Sequence, residues 1–80
     1  MSTETAQKLR QIRQAERLTQ REFAEITGLG LGSVKNYESG HGTAGLKLLE
    51  AVLRHERFRK YTLWMILDET APEAGQIAPE

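Results

Sequence analysis

Proline and glycine divide this chain into segments of helical length. Both prolines, Pro72 and Pro79, lie near the C-terminus, so none interrupts residues 1–71. Glycines cluster at 28–32 and 40–45, and such clusters commonly separate helices. Because the segments between them lack the alternating pattern of strands, the sequence predicts an all-α fold. A chain of 80 residues is short for two domains, so we expect a single one.

Capping residues predict the helix boundaries. Thr19 is a favoured N-cap and Glu22 lies three residues later, which is the pattern of a capping box. Gly28 is expected to end this helix at a left-handed C-cap, and Thr43 is predicted to cap the fourth helix. The five predicted helices span residues 5–17, 20–27, 31–39, 44–54 and 59–67. Residues 1–69 are expected to form the domain, and residues 70–80 a short extended acidic tail.

Charge is distributed unevenly along the chain, although the net charge is zero. Residues 1–67 contain eleven lysines and arginines against seven acids, whereas residues 68–80 contain four acids and no base. The zero net charge, taken alone, favours a protein-interaction module that does not contact DNA. The basic surplus of the body is compatible with nucleic-acid binding.

Composition disfavours several functional classes. The chain has no cysteine and only two histidines, which are distant in sequence, so we expect no enzyme, no catalytic residue, no metal site and no cofactor. The glycine run at 28–32 lacks a preceding strand and has Ser33 in place of the third glycine of a dinucleotide fingerprint. There is no apolar run of about 18 residues, and the polar N-terminus does not resemble a secretory signal. The absence of cysteine fits a reducing compartment.

Two adjacent helices carry the functional prediction. Residues 20–39 form two short helices joined by a turn that Gly28 opens. Ala24 is small enough to let the two helices cross closely, and Val34 is a branched residue that points back at the first helix. Ala24 lies four residues before Gly28, and Val34 lies six residues after it. This spacing is typical of a helix-turn-helix, whose second helix enters the major groove of DNA. An ordinary helical hairpin is the alternative, and the capping box together with an inward Tyr37 argues against it.

The second helix of this unit has two different sides on a wheel of about 100° per residue. Val34, Tyr37 and Glu38 share the inner side, and the opposite side is small and nearly uncharged. Glycine in a helix costs roughly 1 kcal/mol relative to alanine, so its presence there favours close approach to a ligand. Asparagine can pair with adenine, and leucine can contact a thymine methyl. The predicted base-reading residues are Leu31, Gly32, Ser33, Lys35 and Asn36.

Phosphate contacts are predicted around the reading helix. Backbone N–H groups at the start of a helix attract anions, and polar or basic side chains nearby position the protein without reading sequence. The predicted phosphate-contacting residues are Thr19, Gln20, Arg21, His41, Thr43 and Lys47. A guanidinium–carboxylate pair between Arg13 and Glu38 is predicted to tie the first helix to the third, in a structural role.

The fifth helix is apolar on nearly all sides, which predicts that two of its faces are buried. Leu63, Ile66 and Leu67 group on one face, which we assign to the core of the domain. We assign the other face to a second copy in a C2 homodimer, which would hold two reading helices roughly 34 Å apart. The alternative is that Trp64 and Met65 only cover the core of a single chain. The predicted dimer residues are Tyr61, Trp64, Met65 and Ile77.

A set of residues between positions 9 and 53 forms a recognisable pattern: Leu9, Ile12-Arg13, Leu18-Thr19-Gln20, Phe23-Ala24, Gly28, Val34 and Tyr37-Glu38-Ser39-Gly40. In this pattern the chain resembles the lambda-repressor/Cro-like helix-turn-helix family. Residues 60–64 and 71–79 are, in addition, similar to immunity repressors of Peduovirus-type temperate phages, which implies a cytoplasmic, nucleoid-associated protein of a bacterial host.

The resemblance implies five helices and a dimeric repressor that maintains lysogeny by blocking a lytic promoter on double-stranded operator DNA. It implies the Arg13–Glu38 pair, a phosphate-binding Gln20, and base reading from the second helix of the unit. The family often has proline where Ala44 and Gly45 stand, which suggests a looser start of the fourth helix.

One alternative keeps the same domain but gives it another task. An antitoxin or controller-type regulator would also bind DNA, and its C-terminal region would bind a partner protein. Because 80 residues leave no room for a self-cleaving peptidase domain, we expect repression to be relieved by a competing regulator, by an antirepressor protein or by dilution.

Overall fold

The computed structural model describes residues 3–42 and 44–80. Its regular elements in these ranges are helical, which confirms the predicted all-α fold. The elements are α1 (Thr3–Ala15), α2 (Gln20–Thr27), α3 (Leu31–Glu38), α4 (Leu46–Leu53) and α5 (Thr62–Leu67), with 3-10 turns at Arg59–Tyr61 and Pro72–Ala74. No helix in the described ranges has the length and apolar character that a membrane span requires.

Capping chemistry explains which predicted boundaries agree with the structure. α2 has the predicted bounds, because Thr19 and Glu22 form the capping box and Gly28 adopts a left-handed conformation with φ of 76°. α4 begins at Leu46 rather than at residue 44, with Gly45 as an extended N-cap that offers no side-chain hydrogen bond. The predicted cap, Thr43, lies outside the described residues.

α1 begins and ends two residues earlier than predicted. Its C-terminal end is a Schellman motif, in which the N–H of Leu18 donates to the carbonyl of Arg13 at 3.1 Å and the N–H of Arg17 donates to that of Gln14 at 3.0 Å. Arg17 occupies the left-handed position of this motif, with φ of 58°. The sequence pattern concealed this end, because glycine is the usual residue there.

A single core joins α1 to the α2–α3 pair on one side and to the C-terminal helices on the other. Its centre includes Phe23 of α2 and Phe58, which precedes α5, with ring centroids 5.2 Å apart. The largest fully buried side chains are Tyr37, Phe23, Phe58, Leu9, Ile12, Val34 and Val52. The core therefore fixes α3 by its inner side and leaves its other side uncovered.

The face of α5 that packs against the core is the opposite of the one that the sequence predicts. Tyr61 and Met65, which were assigned to a dimer contact, are only 3% and 4% exposed and belong to the core. Trp64 also packs against this core, so the alternative, in which Trp64 and Met65 cover the core of a single chain, describes this face. Ile66 and Leu67, which were assigned to the core, are 52% and 55% exposed. The periodicity grouped these residues correctly. Because both faces are apolar, however, the sequence does not indicate which one lies inward.

Polar contacts to α1 determine the orientation of α5. The Tyr61 hydroxyl donates a hydrogen bond to the Glu16 carboxylate at 2.7 Å. The Lys8 ammonium donates to the carbonyl of Trp64 at 3.2 Å and forms an ion pair with Asp68. These partners hold the face with Tyr61 and Trp64 against α1, so the leucine and isoleucine face turns outward.

The C-terminal tail folds back on α5 and contains more structure than the extended segment that the sequence predicts. Ala71 and Gln76 form an isolated antiparallel bridge around the turn at Pro72–Ala74. The Gln76 side-chain carbonyl accepts from the backbone N–H of Leu63 at 2.9 Å, and its amide donates to the carbonyl of Arg59 at 3.0 Å. The Gln76 side chain therefore caps the start of α5 and anchors the tail.

Candidate nucleic-acid interface

α2 and α3 form a closely packed pair with a well-defined turn. The Thr19 hydroxyl accepts from the N–H of Glu22 at 3.1 Å, and the Glu22 carboxylate accepts from the N–H of Thr19 at 2.8 Å. The backbone hydrogen bond from Thr19, followed by the one from its side chain, holds the pKa of Glu22 below its ordinary value. Ala24 and Val34 are both buried, as expected for residues at the crossing of the two helices.

The two sides of α3 differ as the wheel predicts. Val34 and Tyr37 are buried on the inner side. Leu31 is half-buried and packs against the edge of the core, so only part of this predicted base-reading side chain is accessible. The remaining predicted base-reading residues are exposed and form what we term the outer face of α3, namely Gly32, Ser33, Lys35 and Asn36.

Gly32 is not required by the packing of the domain itself. A Cβ atom at this position would meet no other atom within 4 Å, and the φ of Gly32 is not positive. The glycine therefore leaves an open approach to the backbone of α3 on its outer face. That is the arrangement expected where a large ligand comes close to a helix.

The predicted Arg13–Glu38 pair is present, and it ties together α1, α2 and α3. Nε and Nη2 of Arg13 donate to the two Glu38 carboxylate oxygens at 2.8 and 2.9 Å, and Nη1 donates to the carbonyl of Leu18 at 2.8 Å. The Arg13 and Glu38 side chains are 13% and 4% exposed. A buried bidentate pair of this kind contributes orientation more reliably than net stability.

Gln20 is joined to the same network. Its amide nitrogen donates to the Glu38 carboxylate at 3.1 Å. An amide nitrogen carries two hydrogens, so one remains for a phosphate oxygen, and the bond to Glu38 fixes the direction in which it points. The predicted phosphate contact thus comes from a side chain that α3 itself holds in place.

The C-terminal end of α3 is wrapped by the segment that follows it. The carbonyl of Asn36 accepts from the Ser39 hydroxyl at 3.1 Å, from the N–H of His41 at 3.0 Å and from that of Gly42 at 3.2 Å. Nδ1 of His41 lies 2.8 Å from the Ser39 oxygen. Which of the two atoms donates depends on the tautomer of His41. The residue is exposed, so its other ring nitrogen, Nε2, is accessible from outside.

The other predicted phosphate contacts are accessible to different extents. Arg21 and Lys47 are exposed near the starts of α2 and α4. Thr19 is exposed, and both its backbone N–H and its side-chain oxygen take part in the capping box. Thr43 lies outside the described residues.

Two features near this surface were not found by sequence reasoning. Arg17 is exposed and stands in a left-handed turn just before Thr19; its position beside the capping box was the available signal. Glu16 accepts hydrogen bonds from Arg57 at 2.8 Å and from Tyr61 at 2.7 Å, and no sequence pattern indicated these long-range partners. No group of three or more His, Asp or Glu residues in the described ranges is arranged to hold a metal ion.

Comparison with known proteins agrees with this geometry. A helix-turn-helix family profile matches residues 9–55, more than half of the chain, and includes all of α2, α3 and α4. The chain is also 38% identical over 79 residues to Repressor protein C of Escherichia phage P2, a match that covers 99% of this chain and 80% of that protein. The chain belongs to the lambda-repressor/Cro-like helix-turn-helix family.

Proposed function

We propose that this protein is a sequence-specific DNA-binding transcriptional repressor that reads operator DNA with the outer face of α3. The observation that supports this most is the contrast between the two sides of α3: one is fully packed, and the other is exposed, small and open at Gly32. Protein-binding surfaces are enriched in aromatic residues, methionine and arginine at their centre, and the outer face of α3 has none of them. Its dimensions and polarity suit a DNA groove.

Asn36 is the best candidate for direct base reading. Its backbone carbonyl accepts three hydrogen bonds from the following segment, which holds the residue in place, while its side chain is exposed. An asparagine amide can make a bidentate pair with adenine, worth about 1–3 kcal/mol of discrimination between bases. Lys35 can donate to guanine and Ser33 to a base edge or a phosphate.

The similarity to a phage protein named as a repressor extends over nearly the whole chain. We infer that this chain acts in the same setting, as an immunity repressor of a temperate phage that maintains lysogeny by blocking a lytic promoter. It would work in the cytoplasm of a bacterial host on nucleoid DNA. Relief of repression would come from a competing regulator or antirepressor protein.

We further propose a homodimer, formed through the exposed face of α5 rather than through Tyr61, Trp64 and Met65. An apolar groove of about 550 Å³, the α5 groove, is lined by Arg59, Thr62, Leu63, Ile66, Leu67 and Gln76. Ile77 is 39% exposed, and its N–H donates to the carbonyl of Lys60 at 2.8 Å, which holds it beside α5.

The occupant of the α5 groove that these contacts favour is a second copy of the chain. The surface offers both an apolar groove, which Ile66 and Leu67 line, and an exposed apolar side chain beside it, Ile77. A two-fold axis through such a surface lets each copy fill the groove of the other. The arrangement would also present two α3 helices to successive turns of DNA.

Fluorescence anisotropy tests the DNA-binding proposal. The probes are a labelled duplex from the region upstream of the protein's own coding sequence and a random duplex of equal length, each titrated over a range of salt. We expect tighter binding to the upstream duplex and a steep fall in affinity as salt increases, because phosphate contacts release counterions. Asn36→Ala should remove the preference at one base-pair position; an equal loss on every sequence would show that Asn36 does not read a base.

A further inference from the structure

We infer that Arg17, in the turn between α1 and α2, is a further phosphate-contacting residue, so that the DNA backbone is held by this turn as well as by the α2 and α4 starts. The inference rests on the proposed DNA-binding function and adds a contact to it.

The backbone of Arg17 is unusual for a large side chain. It has φ of 58° at the position of the Schellman motif where glycine is favoured because it lacks a Cβ. The Arg17 side chain is exposed, so it does not contribute to the packing of the core. An arginine in a conformation that suits glycine better is expected where its charge has a use outside the fold.

The charge of Arg17 is left uncompensated by its acidic neighbours. The Glu16 carboxylate already pairs with Arg57 at 2.8 Å and with Lys60 at 3.1 Å. The Glu22 carboxylate accepts from the backbone N–H of Thr19 in the capping box. Arg17 forms no salt bridge with any residue in the described ranges.

The turn that carries Arg17 is held in a fixed position relative to α3. Nη1 of Arg13 donates to the carbonyl of Leu18, directly after Arg17, while the same guanidinium pairs with Glu38 of α3. The turn leads straight into Thr19 and Gln20, which are candidate phosphate contacts, and Arg21 adds a second exposed arginine beside them. The backbone at Arg17 is therefore fixed relative to α3 and lies next to the candidate phosphate contacts at the start of α2, where an added positive charge can help to orient the domain on a duplex.

The test compares Arg17→Gly, Arg17→Lys and Arg54→Ala in the full chain, by anisotropy on the upstream and random duplexes over a salt titration. Arg17→Gly relaxes the left-handed position, so its melting temperature should equal or exceed that of the wild type. Its DNA affinity at about 0.1 M salt should fall about tenfold for each protomer bound, and the slope of log affinity against log salt should fall by about 0.9 per protomer.

Arg17→Lys restores the charge and should regain the slope. Arg54→Ala is the matched control, because it removes one exposed positive charge at the far end of α4 and should leave the slope unchanged. A slope for Arg17→Gly equal to that of the wild type overturns the inference, and so does an equal loss in Arg54→Ala, which would reflect general charge only. Failure of the wild type to bind either duplex at low salt would instead overturn the proposed function.

Discussion

Glu16 illustrates how one residue joins elements that are distant in sequence. Its side chain is 10% exposed and accepts from Arg57, Lys60 and Tyr61, so it connects the end of α1 to the start of α5. Burial alone would raise the pKa of Glu16, but the hydrogen bonds from Arg57, Tyr61 and Lys60 outweigh it and lower the pKa to about 2. The same carboxylate raises the pKa of the Tyr61 hydroxyl, after the larger effect of burial.

The depressed pKa of Glu16 predicts a specific acid sensitivity. Its ordinary pKa is 4.5, so folding favours the ionised form, and the resulting stabilisation is present above this value and is lost as the pH falls towards about 2. Glu16→Gln should lower the free energy of unfolding at neutral pH by about 2 kcal/mol and flatten its decline between about pH 5 and pH 2. Urea denaturation from neutral pH down to about pH 2 measures both effects, with Glu25→Gln on the exposed side of α2 as control. A variant with an unchanged pH profile would contradict the assignment.

Tyr37 predicts a stabilising substitution. Its hydroxyl is buried and has no hydrogen-bond partner among the described residues, and burial raises the pKa of Tyr37. Tyr37→Phe removes the unsatisfied group and keeps the ring, so the free energy of unfolding should rise by about 1 kcal/mol. Chemical denaturation checks this, and a less stable variant would mean that the hydroxyl has a partner in solution.

At the scale of single elements, α3 separates stability from function. Its inner side is complete, and Gly32 lies on the outer face with open space around it. Gly32→Ala should therefore stabilise the helix by about 1 kcal/mol, because the added methyl clashes with nothing in the domain. The same methyl should weaken binding to the upstream duplex if the DNA approaches the backbone closely. Denaturation tests the gain in stability, and anisotropy on the same preparation tests the loss of affinity. An unchanged affinity would remove the argument that DNA closely approaches the backbone of α3.

The elements also differ in how far they could be predicted. α2 was predictable to the residue because Thr19, Glu22 and Gly28 signal both ends through local chemistry. The exposed outer face of α3 followed from periodicity in the same way. The inward face of α5 did not, because it depends on the hydroxyl of Tyr61 reaching Glu16, a contact across 45 positions that no local pattern reveals. The fold of the tail depends on the side chain of Gln76 and was hidden for the same reason.

At the scale of the whole molecule, the proposed dimer predicts that one charge on the exposed face of α5 changes the assembly. Ile66→Glu places a charge in the α5 groove, where Ile66 is 52% exposed, so it should shift the protein to a monomer at micromolar concentration with little effect on folding. Leu46→Glu is the matched control, since Leu46 is 66% exposed on α4 and does not line that groove. Light scattering after size-exclusion chromatography measures the mass. A wild-type monomer, or an Ile66→Glu dimer, would contradict this interface and would favour a partner protein as its occupant.

The central claim is that the outer face of α3 enters the grooves of operator DNA twice in each assembly. Hydroxyl-radical footprinting of the wild-type protein on its own upstream DNA tests this most directly. The account predicts two protected segments about 10 base pairs apart, centred on the same side of the duplex, that persist in excess random DNA. Uniform protection, or none at low salt, would contradict it.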